Sequence, residues 1–270
     1  VSDPSLDLSY PLKGPFNIIR EKSLKLENEA LLLLKSAQLL PAAIIAKVSN
    51  GKSFAARHNL TFIRTDQLDK ISVNPNGIAE AISAELPTKT AKNSQIHIFR
   101  PNISSEEHYV MEIGKIDRNR PVMVRLHSAC FTGDVLGSLK CDCGPQLNAA
   151  IEMMNNYGSG LLIYLNQEGR GIGLANKIRA YSLQDEGFDT VEANHRLGFE
   201  DDERDFQLGA HILKEMRVSK IKLITNNPSK ILSLKKYQIE ISERIPINVG
   251  QNDKNVHYLS TKADKSGHLI

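Results

Sequence analysis

All three cysteines of the chain lie in one short segment, as Cys130, Cys141 and Cys143, which we call the cysteine trio. Three thiolates are soft ligands, and zinc is the usual partner of such a set. A closed structural site needs a fourth ligand, which His127 could supply, whereas an open fourth position is the arrangement of a catalytic zinc. Unliganded buried thiols are the remaining alternative. An open zinc site lowers the pKa of its bound water to about 7, which gives a nucleophile at neutral pH.

A glycine-rich loop over residues 167–173 (QEGRGIG) joins a predicted buried strand to a predicted helix. Glycines allow backbone N–H groups to approach a phosphate, and a helix start favours an anion. The dinucleotide fingerprint fails because Leu174 stands where glycine is needed, and the Gly-Lys-Ser/Thr of a P-loop is absent. A generic tight turn is the alternative, but Arg170 favours phosphate because its guanidinium can bind two oxygens at once.

Two further polar segments could face a ligand. Residues 200–205 (EDDERD) could place a general base beside a guanidinium suited to phosphate, although such charge runs are usually solvated loops. Residues 225–228 (TNNP) end a predicted buried strand, and Lys230 follows. A simple turn explains this second segment equally well.

The elements that must position these residues follow a strand–loop–helix pattern from residue 80 onward. Strands are predicted at 95–100, 109–113, 122–126, 160–165 and 220–225, and helices at 146–156, 174–186 and 206–216. This alternation predicts an α/β fold with a mixed, largely parallel sheet flanked by helices. The loops after Leu165 and Ile224 then lie at carboxyl ends of strands, where such sheets bind ligands.

Residues 1–79 read differently and carry no catalytic constellation. A helical pattern over 24–40 ends at Pro41, apolar runs at 42–48 and 60–64 suggest strands, and 74–77 is the clearest linker. We therefore divide the chain into a small α/β packing or interface domain, 1–79, and a functional domain, 80–270.

Composition excludes several classes of protein. The 270 residues are 41% hydrophobic and 24% charged, and their net charge is +3, which is too balanced for a nucleic-acid binder. Apolar runs are too short to span a membrane, and no export signal opens the sequence. We expect a cytoplasmic globular protein.

The ordered motifs resemble GTP cyclohydrolase II over residues 84–270. They are 125–128 (RLHS), 130–134 (CFTGD), 137–144 (GSLKCDCG), 164–174 (YLNQEGRGIGL), 179–185 (RAYSLQD), 189–194 (DTVEAN), 202–206 (DERDF), 223–228 (LITNNP) and 257–262 (HYLSTK). The resemblance implies a homodimeric hydrolase that uses zinc and magnesium. It would convert GTP to formate, pyrophosphate and 2,5-diamino-6-ribosylamino-4(3H)-pyrimidinone 5′-phosphate, the first step of riboflavin biosynthesis.

The resemblance also implies a role for individual residues. The cysteine trio would hold zinc, and Tyr181 would sit beside the ring-opening chemistry. Arg204 would be the nucleophile on the α-phosphate and Asp202 its base, although a phosphate clamp suits an arginine equally well. Magnesium would bridge the phosphates. The residues implied in GTP binding are Arg125, Leu126, His127, Ser128, Ala129, Gln146, Glu168, Gly169, Arg170, Thr190, Thr225 and Lys230.

Two features depart from the expected pattern. Ala129 replaces the glutamate that the family usually has before its first zinc cysteine, which bears on nucleotide binding if that side chain matters. Residues 30–48 and 56–68 resemble the last part of 3,4-dihydroxy-2-butanone 4-phosphate synthase, without its acidic metal motif. We interpret residues 1–79 as a degenerate remnant without synthase activity.

Two alternative functions remain open at this stage. One is a related enzyme that opens the ring but stops at the formamide; Tyr181 argues against it, because family members that stop early tend to lack this tyrosine. The other is a zinc-stabilised binding protein without turnover, which Ala129 and the degenerate leading domain would favour.

Overall fold

The computed structural model describes residues 2–14, 17, 25–67, 77–101, 106–264, 267 and 269. The helices are α1 Lys25–Ser36, α2 Gly51–Arg57, α3 Cys143–Tyr157, α4 Leu174–Asp185, α5 Thr190–Arg196, α6 Gln207–Glu215, α7 Pro228–Lys236 and α8 Val256–Asp264. The strands are β1 Ile78–Glu85, β2 Ser94–Pro101, β3 His108–Gly114, β4 Val122–Ser128, β5 Ser159–Leu165, β6 Lys220–Ile224 and β7 Glu240–Ile245. Every strand and helix predicted after residue 80 is present, with ends shifted by a few residues.

The strands form one sheet in the order β1-β2-β3-β5-β4-β6-β7. The pairs β1–β2, β2–β3 and β3–β5 are antiparallel, and β5–β4, β4–β6 and β6–β7 are parallel. The prediction of a mixed sheet is confirmed, and its antiparallel half is larger than the sequence indicated. The connections between β1, β2 and β3 are too short for a crossover helix, so these strands must run antiparallel.

The central strands are buried on both faces and carry the core. Leu126, Leu161 and Ile163 pack on one face with residues of α6, where a Cβ on Gly209 would lie 2.8 Å from Leu126 Cδ2. Because side chains alternate along a strand, Arg125 and His127 leave this core on the opposite face of β4. The same strand thus supplies both packing and site residues.

The leading segment differs from its prediction. Residues 42–48 and 60–64, expected as strands, are not paired, and Ile44 is fully exposed; an apolar run forms a strand only where a neighbouring strand takes its hydrogen bonds. The predicted linker at 74–77 lies outside the described residues except for Gly77, and the division at residue 79/80 stays a prediction.

The part of this segment nearest the sheet domain packs against helices α4 and α5. Lys35 Nζ lies 2.6 Å from Glu203 Oε1, and Asn176 Nδ2 donates to Gln38 O at 2.9 Å. Leu40 packs against a small buried cluster built around Leu183 and Phe199. None of the described helices has the length and apolar composition needed to cross a membrane.

Candidate functional site

The cysteine trio comes together at the carboxyl end of β4. Cys130 follows that strand, and Cys141 and Cys143 lie at the start of α3. Their Sγ atoms lie within 4.8 Å of one another, and Cys130 Sγ is 3.7 Å from Cys141 Sγ. A disulfide needs about 2 Å, whereas sulfurs that share a tetrahedral zinc at about 2.3 Å lie roughly 3.7 Å apart. The donor set therefore fits zinc.

Two glycines permit this convergence. A Cβ on Gly133 would lie 2.7 Å from Cys141 Sγ and 3.1 Å from Cys130 Sγ. A Cβ on Gly144 would lie 2.3 Å from Gly133 O. The π-helical turn Phe131–Val135 and the first turn of α3 can approach this closely only without side chains at these positions.

His127 does not complete the trio. Its Nε2 lies 3.0 Å from Asp134 Oδ2, and Tyr164 Oη donates to the same oxygen at 2.9 Å. Among the described residues, the cluster of close metal-ligating atoms contains the three sulfurs and no imidazole. The three sulfurs leave the fourth position to a small molecule from the cleft described below, so the geometry favours the open arrangement over a closed one with His127.

A buried lysine stands beside the trio. Lys177 Nζ donates to Cys130 Sγ at 3.1 Å, Thr132 Oγ1 at 2.9 Å and Glu168 Oε1 at 2.8 Å, which uses all three of its N–H groups. The thiols of Cys141 and Cys143, and then the charge of Lys177, hold the pKa of Cys130 far below its usual range. The lowered pKa favours the thiolate form of Cys130, which is the form that binds a metal.

The trio opens onto a cleft of about 970 Å³, a volume that includes its solvent-filled mouth. Of the residues predicted for the site, the lining contains the cysteine trio, Arg125, His127, Ser128, Ala129, Gln146, Glu168, Gly169, Arg170, Tyr181, Thr190, Arg204 and Lys230. The cleft therefore joins a candidate metal site to several cationic side chains, an arrangement that suits a polar, anionic ligand.

Two buried cations in this cleft form no ion pair with a carboxylate among the described residues. Arg125 donates to Gln146 Oε1 at 2.6 Å and Ile224 O at 3.3 Å, and its Nε has no partner. Lys230 Nζ donates to Leu126 O at 2.7 Å. Burial and the charges of Arg204 and Arg125 hold the pKa of Lys230 well below its usual range. A bound anion would relieve this repulsion, so the site is built to accept negative charge.

The glycine-rich loop also lines the cleft, through Gly169 and Arg170. Gly169, Arg170 and Gly171 all have positive φ angles, of 64°, 63° and 95°. Glu168 holds the loop in place, because Oε2 accepts the Phe131 N–H at 2.6 Å and Oε1 accepts the Gly169 N–H at 2.8 Å. Glu168 therefore ties the loop to the residue that follows Cys130.

The acidic segment, residues 200–205, packs against the glycine-rich loop. The Glu203 N–H donates to Arg170 O at 3.0 Å, and Arg170 Nη1 donates to Asp201 O at 3.1 Å. Arg204 binds Asp202 with both arms of its guanidinium, at 2.7 and 2.6 Å. Burial acts to lower the pKa of Arg204 and to raise that of Asp202, but the pairing outweighs it, so the pKa of Arg204 is raised and that of Asp202 lowered.

Helices α4 and α5 carry two further predicted residues, Tyr181 and Thr190. Burial raises the pKa of Tyr181 to about 12, although the nearby Lys177 opposes the shift. Thr190 begins α5, whose capping box is formed by Asp189 and Glu192. This cap fixes the first turn of α5 at the edge of the cleft.

Three predicted residues do not line the cleft. Leu126 packs in the core and reaches the site through its carbonyl, which accepts from Lys230. Thr225 is buried, and its hydroxyl accepts the Asn227 N–H at 3.0 Å, which shapes the loop before Lys230. Asp202 reaches the cleft only through Arg204, whose guanidinium donates to both of its carboxylate oxygens.

The sequence reasoning missed several lining residues. They are Asp142, Ile172, Lys177, Ala180, Gln184, Asn194, Asn227, Tyr258 and Lys262. Lys177 lies one helical turn before Tyr181, so helix periodicity could have found it. Lys262 lies in the 257–262 motif, but nothing in that segment assigns its side chain to the cleft.

Comparison with known proteins gives the following matches. A family model described as GTP cyclohydrolase II matches residues 79–246. The riboflavin biosynthesis protein RibBA of Aquifex aeolicus (strain VF5) is 42% identical over 273 residues, which cover 97% of this chain and 67% of that protein. GTP cyclohydrolase-2 of Azospirillum brasilense is 44% identical over 249 residues, covering 90% of this chain and 65% of that protein. The chain thus spans about two thirds of the length of these relatives.

The matches among solved structures include a synthase. It is RibBX, a two-domain 3,4-dihydroxy-2-butanone 4-phosphate synthase from A. baumannii, at 18% identity and a TM-score of 0.37, covering 76% of this chain and 51% of that chain. This score is too low to support a structural argument.

Proposed function

Because the chain belongs to the GTP cyclohydrolase II family, we propose that it hydrolyses GTP to formate, pyrophosphate and 2,5-diamino-6-ribosylamino-4(3H)-pyrimidinone 5′-phosphate. The names of its relatives support a place in riboflavin biosynthesis. The observation that carries the proposal is the juxtaposition, in one cleft, of the cysteine trio with the cations Arg125 and Lys230, which form no ion pair with a described carboxylate. This arrangement suits a substrate with a reactive ring at one end and phosphates at the other.

Cys130, Cys141 and Cys143 would hold zinc. Bound zinc supplies one thing to the reaction, the Lewis-acid activation of water for attack at C8 of guanine and for release of formate. Tyr181 stays protonated at neutral pH because burial raises its pKa to about 12. Its hydroxyl is therefore a hydrogen-bond donor, suited to a ring nitrogen that gains electrons as the ring opens.

The phosphates would lie on the cationic side of the cleft. Arg125, Arg170, Arg204 and Lys230 would supply donors there, and magnesium would neutralise phosphate charge with few ligands from the protein. The pairing with Asp202 keeps Arg204 protonated and Asp202 ionised. This supports a clamp role for Arg204 at the α-phosphate over a nucleophilic one, because a protonated guanidinium has no free electron pair.

Ala129 would act through its backbone. Its N–H donates to Leu165 O at 2.7 Å, which joins the ends of β4 and β5. Any residue can make this bond. We therefore expect the replacement of the usual glutamate to leave the strand ends, and with them the position of Cys130, unchanged.

We also propose that the chain forms a homodimer and that residues 1–79 are a degenerate remnant domain without synthase activity. Exposed apolar side chains next to the trio, at Phe131, Val135, Leu136 and Leu139, offer surface for a second copy. Light scattering of the purified chain tests the dimer, and incubation with ribulose 5-phosphate tests the absence of synthase activity.

The central experiment incubates zinc-loaded protein with GTP and magnesium and follows formate, pyrophosphate and product mass together. We expect all three products, and we expect Cys141→Ser to lose zinc and formate release. A stable formylated product would instead identify the enzyme that stops early. Tight GTP binding without any product would identify a binding protein.

A further inference from the structure

The C-terminal helix α8 lies outside the part of the chain that the family model matches, yet it reaches the cleft. The match ends at residue 246, and α8 contributes Tyr258 and Lys262 to the lining beside Cys143 and Arg204. Lys262 is buried, and its Nζ lies over the ring of Tyr258, 4.4 Å from its centroid. A helix beyond the residues that the family model matches thus closes one side of the site.

The segment that precedes α8 packs against the N-terminal end of α3, which carries Cys143. Gly250 has a φ of 81°, and a Cβ there would lie 2.7 Å from Pro145 Cβ. Asn255 is fully buried, and its side chain donates to Gly250 O at 2.8 Å. Leu259 is also buried. These contacts hold the start of α8 where Lys262 can reach the cleft.

Lys262 begins a chain of hydrogen bonds that crosses the floor of the cleft. Lys262 Nζ donates to Asp142 Oδ1 at 2.7 Å, and Gln146 Nε2 donates to Asp142 Oδ2 at 2.5 Å. Gln146 Oε1 in turn accepts from Arg125 Nη2 at 2.6 Å. Asp142 is the residue between Cys141 and Cys143, so the chain of bonds runs past the cysteine trio to the buried guanidinium of β4.

Each hydrogen bond in this series fixes the orientation of the side chain that makes the next one. Asp142 is 4% exposed, and a buried carboxylate without a cation is strongly unfavourable. With Lys262 in place, Asp142 needs only one further donor and takes the Gln146 amide, which leaves Gln146 Oε1 turned toward Arg125. Without Lys262, Asp142 would compete for Arg125 itself, and the guanidinium would leave its position in the cleft.

We propose that Lys262 is a positioning residue of the substrate site, which acts through Asp142 and Gln146 to hold Arg125 where a phosphate or purine group would meet it. This inference rests on the proposed function for its kinetic consequence and on the described contacts for its structural one. It makes α8 a part of the site.

The test compares Lys262→Met and Lys262→Arg with Lys254→Met, whose exposed side chain lies in the same tail. We expect Lys262→Met to raise the KM for GTP about 10-fold with kcat changed less than about 2-fold. Lys262→Arg should restore most of the loss, because it keeps the charge. Asp142→Asn should match Lys262→Met, and the double variant should be no worse than either single one.

Three outcomes would overturn the proposal: an unchanged KM in Lys262→Met, a loss that Lys262→Arg does not recover, or additive effects in the double variant. Zinc content is measured throughout, and loss of zinc from Lys262→Met would also overturn it, since the effect would then arise at the metal.

A second readout separates this inference from the proposed function. Hydrogen exchange of the free protein should accelerate in the first turn of α3 in Lys262→Met and stay unchanged in α7. If the parent protein does not turn over GTP, the proposed function fails, and the exchange result alone decides whether Lys262 positions Asp142 and Gln146. Unchanged exchange in α3 would contradict the positioning role.

Discussion

The Nζ atom of Lys177 lies 3.1 Å from the Sγ atom of Cys130, and both groups are buried. The ammonium group faces a sulfur of the cysteine trio directly, and a hydrogen bond from a cation stabilises a metal-bound thiolate without occupying a ligand position. A lysine that binds no metal itself can thus contribute to how tightly the metal is held.

Replacement of Lys177 by methionine should weaken zinc binding about 10- to 100-fold, because the side chain keeps its length and loses the donor. Competition with a chromophoric chelator measures the affinity. Lys140→Met is the matched control, since Lys140 also lies over the Tyr181 ring, 5.0 Å from its centroid, but pairs with the exposed Asp185. Equal zinc affinities in the two variants would contradict this role.

Gly133→Ala should disrupt the metal centre, because its Cβ would lie 2.7 Å from Cys141 Sγ. We expect zinc affinity to fall by more than about 10-fold, as the sulfur must move from its position in the trio. Gly137→Ala is the control: its φ of 66° strains an alanine, but nothing lies within 4 Å of the new Cβ. The control should lose about 1 kcal/mol of stability and keep its zinc. A Gly133→Ala variant with parental zinc affinity would show that the trio adjusts freely.

The ion pair between Lys35 and Glu203 tests whether the leading segment packs on the site domain in solution. Both side chains are about a quarter exposed, so we expect Lys35→Met to lower the free energy of unfolding by only about 1 kcal/mol. Glu203→Gln should give a similar loss, and urea denaturation of the double variant should show that the two losses are not additive. The exposed local pair of Arg64 and Asp66 provides the control, and strictly additive losses for Lys35 and Glu203 would argue against the contact.

His108 should make the fold sensitive to acid. It is fully buried at the start of β3, its Nδ1 accepts the Asn166 N–H at 3.1 Å, and burial lowers its pKa from 6.5 to about 4. Because the unfolded chain binds this proton more readily, the contribution of His108 is complete above pH 6.5 and is lost as the pH falls toward 4. The loss is at most about 3 kcal/mol. Thermal unfolding at several pH values should show a shallower acid limb in His108→Gln.

His97 should show the opposite pH dependence and serves as an internal comparison. The carboxylate of Glu112, 3.5 Å from His97 Nε2, raises the pKa of His97, burial opposes the shift, and Glu80 adds to the rise. A raised pKa means that the stabilisation is present below pH 6.5 and is lost as the pH rises through the folded value. His97→Gln should therefore flatten the stability profile on the alkaline side of neutrality. An unchanged profile in both histidine variants would refute the electrostatic account.

Local pattern was sufficient to predict the central strands and three of the six helices that the structure describes after residue 80, namely α3, α4 and α6, whereas α5, α7 and α8 were missed. The run 160–165 is apolar without a break, and it forms the buried β5, which pairs with β3 and β4. The failures at 42–48 and 60–64 have one cause: composition indicates a strand, but a strand also requires a partner, and pairing is a property of the whole fold. The edge strand β7 was missed for the converse reason, since its sequence EISERI is mostly polar and none of its residues is buried.

Site residues could be predicted where a motif is local and not where contacts are long-range. The cysteine trio and the glycine-rich loop are short segments. The structure places the glycine-rich loop at the carboxyl end of β5, as the alternating pattern implied, and the cysteine trio beside it at the end of β4, which the sequence analysis did not predict. Lys262 meets Asp142 across 120 residues, and no local spacing encodes such a contact. Leu126 and Thr225 act through a carbonyl and a turn hydroxyl, and sequence alone does not distinguish these roles from direct contact.

The carboxylate of Glu168 links the metal side of the cleft to the glycine-rich loop. One of its oxygens accepts from the backbone beside Cys130, and the other accepts from Lys177 and from its own loop. Chelator treatment during purification would therefore loosen the nucleotide side of the cleft along with the metal side. A preparation that has lost zinc and nucleotide binding together should regain both after dialysis against zinc alone, without unfolding and refolding of the protein.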